Sequence, residues 1–253
     1  MAGAGALDEP VPAILSLILK QLRRQQNWVT VMIENGFEYL EKNGGACIVK
    51  ALEPGAVCVV PDTLGGFPVT ELGDRAFART DIKEVYLPKT LRRIGRYGFY
   101  NCEKLKTLSL PTSLKSIGQQ AFYNCIALRK VVIPEGVVSI GYGAFKECKA
   151  IITVSLPSTL TSLGSNDTYY SGVFENCKSL ATVTIAAGKS NAYIGAETFK
   201  QCDSLTEIEI PGNYTAIYNE AFYDNDSLKK VVYNKNTVSN TVQTIKNRVI
   251  SLS

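Results

Sequence analysis

Residues 91–111 (LRRIGRYGFYNCEKLKTLSLP) and 114–134 (LKSIGQQAFYNCIALRKVVIP) spell nearly the same phrase, 23 residues apart. Taking the Ile or Leu of the Ile/Leu-Gly pair as the start of a unit, starts fall at Leu72, Ile94, Ile117, Ile140, Leu163, Ile194 and, in register, Ile217. We number these units coils 1 to 7. Each has a Phe: Phe77, Phe99, Phe122, Phe145, Phe174, Phe199 and Phe222. Three residues later stands a Cys in five coils (Cys102, Cys125, Cys148, Cys177, Cys202), with Thr80 and Asn225 in the other two. Three further on, or two in coil 1, is an aliphatic residue: Ile82, Leu105, Leu128, Ile151, Leu180, Leu205 or Leu228. An alternating segment such as Leu108-Ser109-Leu110 follows, usually closed by Pro (Pro88, Pro111, Pro134, Pro157, Pro211).

Self-similarity at a period of 20–30 residues is the mark of a solenoid. The Phe-x-x-Cys-x-x-Leu spacing predicts a short helical turn with one inward face. The switch to a period of two then predicts a strand. Neither piece can bury its apolar side alone, so each coil must cover the next. Strand stacking sets a rise of about 4.8 Å per coil, or roughly 34 Å for the array. Pro ends each strand because it has no N–H to donate. Gly after the Ile or Leu is expected to provide a bend with positive φ.

Open solenoid ends are exposed strand edges and need covering. The chain falls into four parts. Residues 1–36 hold Val11, Ile14, Leu15, Ile18 and Leu22 at helical spacing, predicting an amphipathic helix. Residues 37–71 form an N-terminal β cap and a degenerate leading coil, with Pro61 in the place of Pro88; a hairpin about Glu53-Pro54-Gly55 is expected. Residues 72–239 are the repeats. Residues 240–253 abandon the pattern but keep Val242, Ile245, Val249 and Ile250, as a C-terminal cap would.

The pattern LxxLxLP, preceded by Ile-Gly-x-x-Ala-Phe-x-Asn-Cys, resembles the BspA-like leucine-rich repeat family. Residues 105–111 (LKTLSLP) and 117–125 (IGQQAFYNC) carry the likeness best, and it extends over about residues 37–239. The resemblance implies a β-rich leucine-rich-repeat solenoid, a curved right-handed superhelix of parallel strands. It implies a protein that binds other proteins, commonly at a bacterial or protist cell surface and sometimes in host adhesion. It brings no catalytic residues and no cofactor.

The composition narrows the chemistry. The chain has no His, which removes the commonest general base and metal ligand. Parallel thiols stacked about 5 Å apart diverge along a line instead of converging on a metal, so the five cysteines read as small buried side chains. Cys47 and Cys58 fall on opposite strands of the expected hairpin and would pair only in an oxidising compartment. Net charge is +4, too mild for a nucleic-acid binder, and no segment is long enough to span a membrane. Residues 1–26 do not read as a secretory leader: Asp8 and Glu9 make the start acidic, and Arg23-Arg24 follow the short apolar stretch. The expectation is a cytoplasmic chain or one missing its original leader.

Residues 72–116 hold ten basic side chains against four acidic ones, enough to steer an acidic partner. In LxxLxLP the three x positions face solvent. The first column reads Lys83, Lys106, Arg129, Ile152, Ala181, Thr206, Lys229; the second Glu84, Thr107, Lys130, Thr153, Thr182, Glu207, Lys230; the third Tyr86, Ser109, Val132, Ser155, Thr184, Glu209, Val232. Coils 1 to 3 are basic there, coils 4 and 5 small and neutral, coil 6 acidic. Coil 5 also carries eight extra residues, six of them around SNDTYYSG with Tyr169 and Tyr170; such insertions become loops, often at binding faces. The candidate contact residues are Lys83, Tyr86, Lys106, Thr107, Arg129, Lys130, Val132, Tyr169 and Tyr170. The leading expectation is a non-enzymatic module binding a protein with an acidic or mixed-charge patch. Two other readings stand beside it: a scaffold that self-associates through the Val11–Leu22 helix, and an enzyme with a carboxylate or Cys centre. The oligomeric state is left open.

Overall fold

The computed structural model describes residues 30–165, 172–233, 236–237 and 250–251. The chain divides into a unit of residues 1–32 and a unit of residues 33–253, which carries the repeats. The expected helix over 11–22, Tyr169 and Tyr170, and all of the expected C-terminal cap except Ile250–Ser251 lie outside the described residues.

The repeat unit does wind as a solenoid coil, but it holds two strands where the sequence pattern suggested one. The longer ladder passes through the Ile-Gly positions. Its parallel strands run in order through Gly45–Ala51, Phe67–Leu72, Arg93–Ile94, Ser116–Ile117, Ser139–Ile140, Ser162–Leu163, Ala192–Ile194 and Tyr214–Ile217. The strands of the LxLP segments form three separate three-stranded sheets. These are Val57–Val59 with Glu84–Tyr86 and Thr107–Ser109, Lys130–Val132 with Thr153–Leu156 and Thr182–Ile185, and Glu207–Ile210 with Lys230–Tyr233 and Asn236–Thr237.

Glycine in the first ladder serves proximity, not a positive φ. Gly95, Gly118 and Gly141 keep negative or extended backbone, but a Cβ on Gly118 would lie 2.6 Å from the carbonyl carbon of Gly95, and one on Gly141 2.6 Å from the amide nitrogen of Gln119. Only hydrogen fits where successive coils approach so closely. Gly164 alone in this column takes the left-handed conformation (φ 89°).

Among the described residues there is no helix. The Phe-x-x-Cys stretch expected as a helical turn is a run of overlapping turns. In coil 2, Gly98, Tyr100 and Cys102 donate to the carbonyls three residues back, while Tyr97, Phe99 and Asn101 donate to Gln119, Ala121 and Tyr123 of coil 3 at 3.0, 2.6 and 2.8 Å. Except for Gly172 in coil 5, residues two before and two after the Phe sit in the left-handed region, as at Tyr97 (φ 58°) and Asn101 (φ 56°) or Gln120 (φ 52°) and Asn124 (φ 57°). The alternation aims every second amide along the solenoid, so the buried turn leaves no amide row unpaired. It also explains the recurring Asn: Asn101, Asn124 and Asn176 occupy positions where Asn tolerates positive φ better than most residues.

Each Pro closing an LxLP strand accepts from the residue three on, such as Leu114 N to Pro111 O at 3.0 Å. That turn returns the chain to the core at Leu91, Leu114, Val137, Leu160 and Tyr214. All seven repeat phenylalanines are fully buried and stack face to face, with centroids 5.0 Å apart in coils 1 to 4 and 5.3–5.6 Å beyond. Phe37 tilts 59° across Phe77 at 6.2 Å and closes the stack at its N-terminal end.

The expected hairpin about Glu53-Pro54-Gly55 is absent. Gly45–Ala51 pairs antiparallel with Phe37–Lys42 across the Asn43-Gly44 turn, then parallel with Phe67–Leu72. Val57–Val59 belongs to a different sheet, parallel to Glu84–Tyr86. Residues 52–56 therefore turn a coil corner, because the chain already repeats its two-strand course before the Ile-Gly motif becomes legible.

Candidate functional site

The strand face is built by alternation. Inward Val85, Val131 and Val154 are buried, which turns their neighbours out. Of the expected contact residues, Lys83, Tyr86, Lys106, Thr107, Arg129, Lys130 and Val132 are all exposed on this face. The structure thus exposes seven of the nine, Lys83, Tyr86, Lys106 and Thr107 beside one three-stranded sheet and Arg129, Lys130 and Val132 beside the next; Tyr169 and Tyr170 lie outside the described residues. Large apolar groups stand among the cations: Val59 is 67% exposed, Tyr86 54%, Val132 48% and Ile152 47%. Val59 is the direct cross-strand partner of Tyr86. Among the described residues, Lys83, Lys106, Arg129 and Lys130 have no carboxylate within salt-bridge distance, whereas Lys230 meets Glu207 at 3.4 Å.

The face is interrupted by two seams. The bond that recurs as Lys106 N to Lys83 O, Ile152 N to Arg129 O and Lys229 N to Thr206 O has no counterpart between coils 2 and 3 or between coils 5 and 6. At the second seam a concavity of about 530 Å³ opens between Thr182–Ile185 and Glu207–Ile210. Sequence reasoning missed both seams, since the residues on either side keep the repeat register.

The cysteine column is sealed. Each thiol donates to the Phe carbonyl of the preceding coil: Cys102 to Phe77 O at 3.0 Å, Cys125 to Phe99 O at 3.2 Å, Cys148 to Phe122 O at 3.0 Å, Cys177 to Phe145 O at 3.2 Å and Cys202 to Phe174 O at 3.3 Å. Burial pushes the Cys102, Cys125, Cys177 and Cys202 thiols above their ordinary range. All seven cysteines are free and buried, so Cys47 and Cys58 do not pair. Burial first, then the Glu71 carboxylate, pushes Cys47 up to about 11. Neutral buried thiols are poor nucleophiles. No cluster of Cys, Asp and Glu among the described residues is arranged to hold a metal ion.

A second surface, made by the turns, was not anticipated. Counting from each Phe, positions −2 and +1 read Arg75 and Ala78, Tyr97 and Tyr100, Gln120 and Tyr123 in coils 1 to 3. Tyr100 stacks on Tyr123 at 5.0 Å, Tyr97 meets Tyr100 edge-on at 5.5 Å, and the Arg75 guanidinium lies 4.9 Å from the Tyr97 ring centre. These side chains and Lys146 line a concavity of about 580 Å³. The repeat register held the signal for it: three tyrosines sit in two adjacent columns.

A model of the BspA type leucine rich repeat region matches residues 70–171 and 166–251, in six copies. The chain belongs to the BspA-type leucine-rich repeat family. Among solved structures, a leucine rich cell surface protein from Faecalibacterium prausnitzii A2-165 is 29% identical with a TM-score of 0.69. The match covers 81% of this chain and 55% of that one, so the BspA-type array described here spans about half of its neighbour. The leucine rich repeat protein of T. pallidum is 27% identical, TM-score 0.55, with 70% of this chain and 91% of that chain covered. The pneumococcal vaccine antigen PcpA shares the fold at 20% identity and TM-score 0.55, over 81% of this chain and 65% of its own. Comparison with curated proteins found no match. No helix among the described residues is long and apolar enough to cross a membrane.

Proposed function

We propose that this BspA-type array is a non-catalytic protein-binding module and that its strand face takes a protein partner with an acidic or mixed-charge patch. One observation carries the reading: Lys83, Lys106, Arg129 and Lys130 have no carboxylate within salt-bridge distance among the described residues, and they surround exposed Tyr86, Val132 and Ile152. Lys83 and Lys106 stand in neighbouring coils on one side of the first seam, and Arg129 and Lys130 on the other; like charges so placed repel, and an incoming acidic surface relieves that repulsion. Exposed apolar groups beside them supply the area that makes such an encounter last. The cell-surface location named for the Faecalibacterium neighbour fits a role in adhesion or host contact. The sealed thiol column and the lack of His argue for binding over catalysis.

The test is capture of partners from the native environment by the full chain and by a Lys106→Glu, Arg129→Glu, Lys130→Glu variant. A partner retained at low salt, released as salt rises and lost by the variant at unchanged thermal stability supports the proposal. Equal capture by both chains excludes this face.

A further inference from the structure

From the turn face we infer a second binding site, for a saccharide that carries an oxyanion, either a carboxylate or a sulfate ester. It lies in the hollow lined by Arg75, Arg79, Tyr97, Tyr100, Gln120 and Tyr123, and it is independent of the strand face.

Three observations converge on that chemistry. The first is an unfinished stack. Tyr100 and Tyr123 hold the same column position in coils 2 and 3 and stack at 5.0 Å, but coil 1 carries Ala78 there. The small side chain adds no ring to the stack in coil 1; the other ring beside Tyr100 is Tyr97, edge-on at 5.5 Å, and the hollow of about 580 Å³ is lined by Ala78 together with these tyrosines. Such a volume accommodates one or two sugar rings. Aromatic rings beside phenol hydroxyls suit a ligand ring that is apolar on one side and hydroxylated at its edge.

The second is charge. Arg75 and Arg79 line the hollow, and neither has a carboxylate within salt-bridge distance among the described residues. The acidic groups nearby are otherwise engaged. Asp74 accepts the Arg96 amide at 2.8 Å, and Asp81 holds Lys104 at 2.9 Å. Beyond Tyr123, Glu175 holds Lys146 at 2.9 Å and Glu147 accepts from Asn176 at 2.7 Å. Of the three cations that line the hollow, Lys146 is paired with Glu175, so the charge left without an ion-pair partner there is the two guanidiniums. The Asp74 carboxylate keeps its own charge next to Arg75 in sequence. The planar guanidinium forks match a carboxylate or sulfate through paired hydrogen bonds.

The third is rigidity. Arg75 and Arg79 both occupy left-handed backbone positions (φ 63° and 62°), and their amides donate to Arg96 O at 2.9 Å and Tyr100 O at 2.7 Å. Arg75 is further held over the Tyr97 ring. The cations stand on the coil ladder itself, not on a loop, so little ordering is lost when a ligand enters.

Calorimetric titration of the full chain tests the inference with five probes: a glucuronate-containing disaccharide, a sulfated disaccharide, uncharged lactose, inorganic sulfate and adenosine monophosphate. At least one charged disaccharide is expected to bind about tenfold or more tightly than lactose or sulfate. Which one does so separates the carboxylate source from the sulfate ester. An Arg75→Gln, Arg79→Gln variant should lose at least about tenfold in affinity. Ala78→Tyr, which continues the tyrosine stack and fills the hollow while keeping both charges, should lose as much. Lys189→Gln, exposed in coil 5 and outside both faces, should bind like the parent. Binding of neither charged disaccharide, sulfate binding as tightly as the disaccharides, a tighter fit for adenosine monophosphate, or full affinity in the Ala78→Tyr chain would each overturn it.

Discussion

Asn225 accepts the backbone N–H of Cys202 at 2.7 Å and donates to Phe199 O at 2.7 Å, at the point where the cysteine column stops. In the coils before it a thiol makes the one donated bond and the amide of each column Cys from coil 2 to coil 5 reaches its own Phe carbonyl. The amide side chain of Asn225 therefore takes over two bonds at a fully buried position. Asn225→Leu should leave Phe199 O and the Cys202 N–H without these partners and cost about 2–4 kcal/mol. Urea denaturation measures this. Asn225→Cys, which restores one donor, should cost less; a Leu variant as stable as the parent refutes the capping role.

Gly118→Ala should be far more damaging than an ordinary Gly-to-Ala change, because a Cβ would lie 2.6 Å from backbone of coil 2. Separating the two coils disturbs the ladder on either side, and about 1–3 kcal/mol is expected for such overpacking. Gly44→Ala is the control: its Cβ meets nothing within 4 Å, but its φ of 75° strains it, so its loss is one of backbone conformation only. Melting temperatures of the two variants separate crowding from φ strain.

Alkaline pH should unfold the protein through its thiols. Burial raises Cys47, Cys102, Cys125, Cys177 and Cys202 in the folded state, so above their ordinary value of 9.0 the unfolded chain loses protons that the folded chain keeps. Stability is then unaffected by these thiols below pH 9 and falls as pH rises, for Cys47 until about 11. Cys125→Ala should lose about 1 kcal/mol at pH 7 through its thiol bond and small cavity, yet show a shallower decline above pH 9. Denaturation midpoints at a series of pH values give both numbers. Native protein should also resist thiol reagents until unfolded, since every described cysteine is buried.

Tyr214 occupies the position held by Leu91, Leu114, Val137 and Leu160 in earlier coils, and its hydroxyl is buried without a hydrogen-bond partner. Burial pushes that phenol up to about 12. Tyr214→Phe should be neutral or stabilising by about 1 kcal/mol, because it removes an unsatisfied polar atom and keeps the ring. A loss of more than about 1 kcal/mol in thermal unfolding contradicts this.

The sequence by itself determined the coil, its register and its core. Seven phenylalanines, most of them 22 or 23 residues apart and five of them followed by Cys three residues on, have one way to become buried together, by stacking like on like. It also determined which side chains of LxxLxLP point outward, because alternation along a strand is local geometry. Only the tertiary structure decided how backbone groups on neighbouring coils meet. Whether Gly118 answers to torsion or to crowding, whether the tyrosine stack continues past Tyr100 or stops at Ala78, and where the strand ladder parts between coils 5 and 6 all depend on distances between residues about 23 positions apart. A repeat motif states what recurs; the spacing between its copies, fixed by the balance of hydrogen bonding and packing along the whole stack, sets where a surface opens.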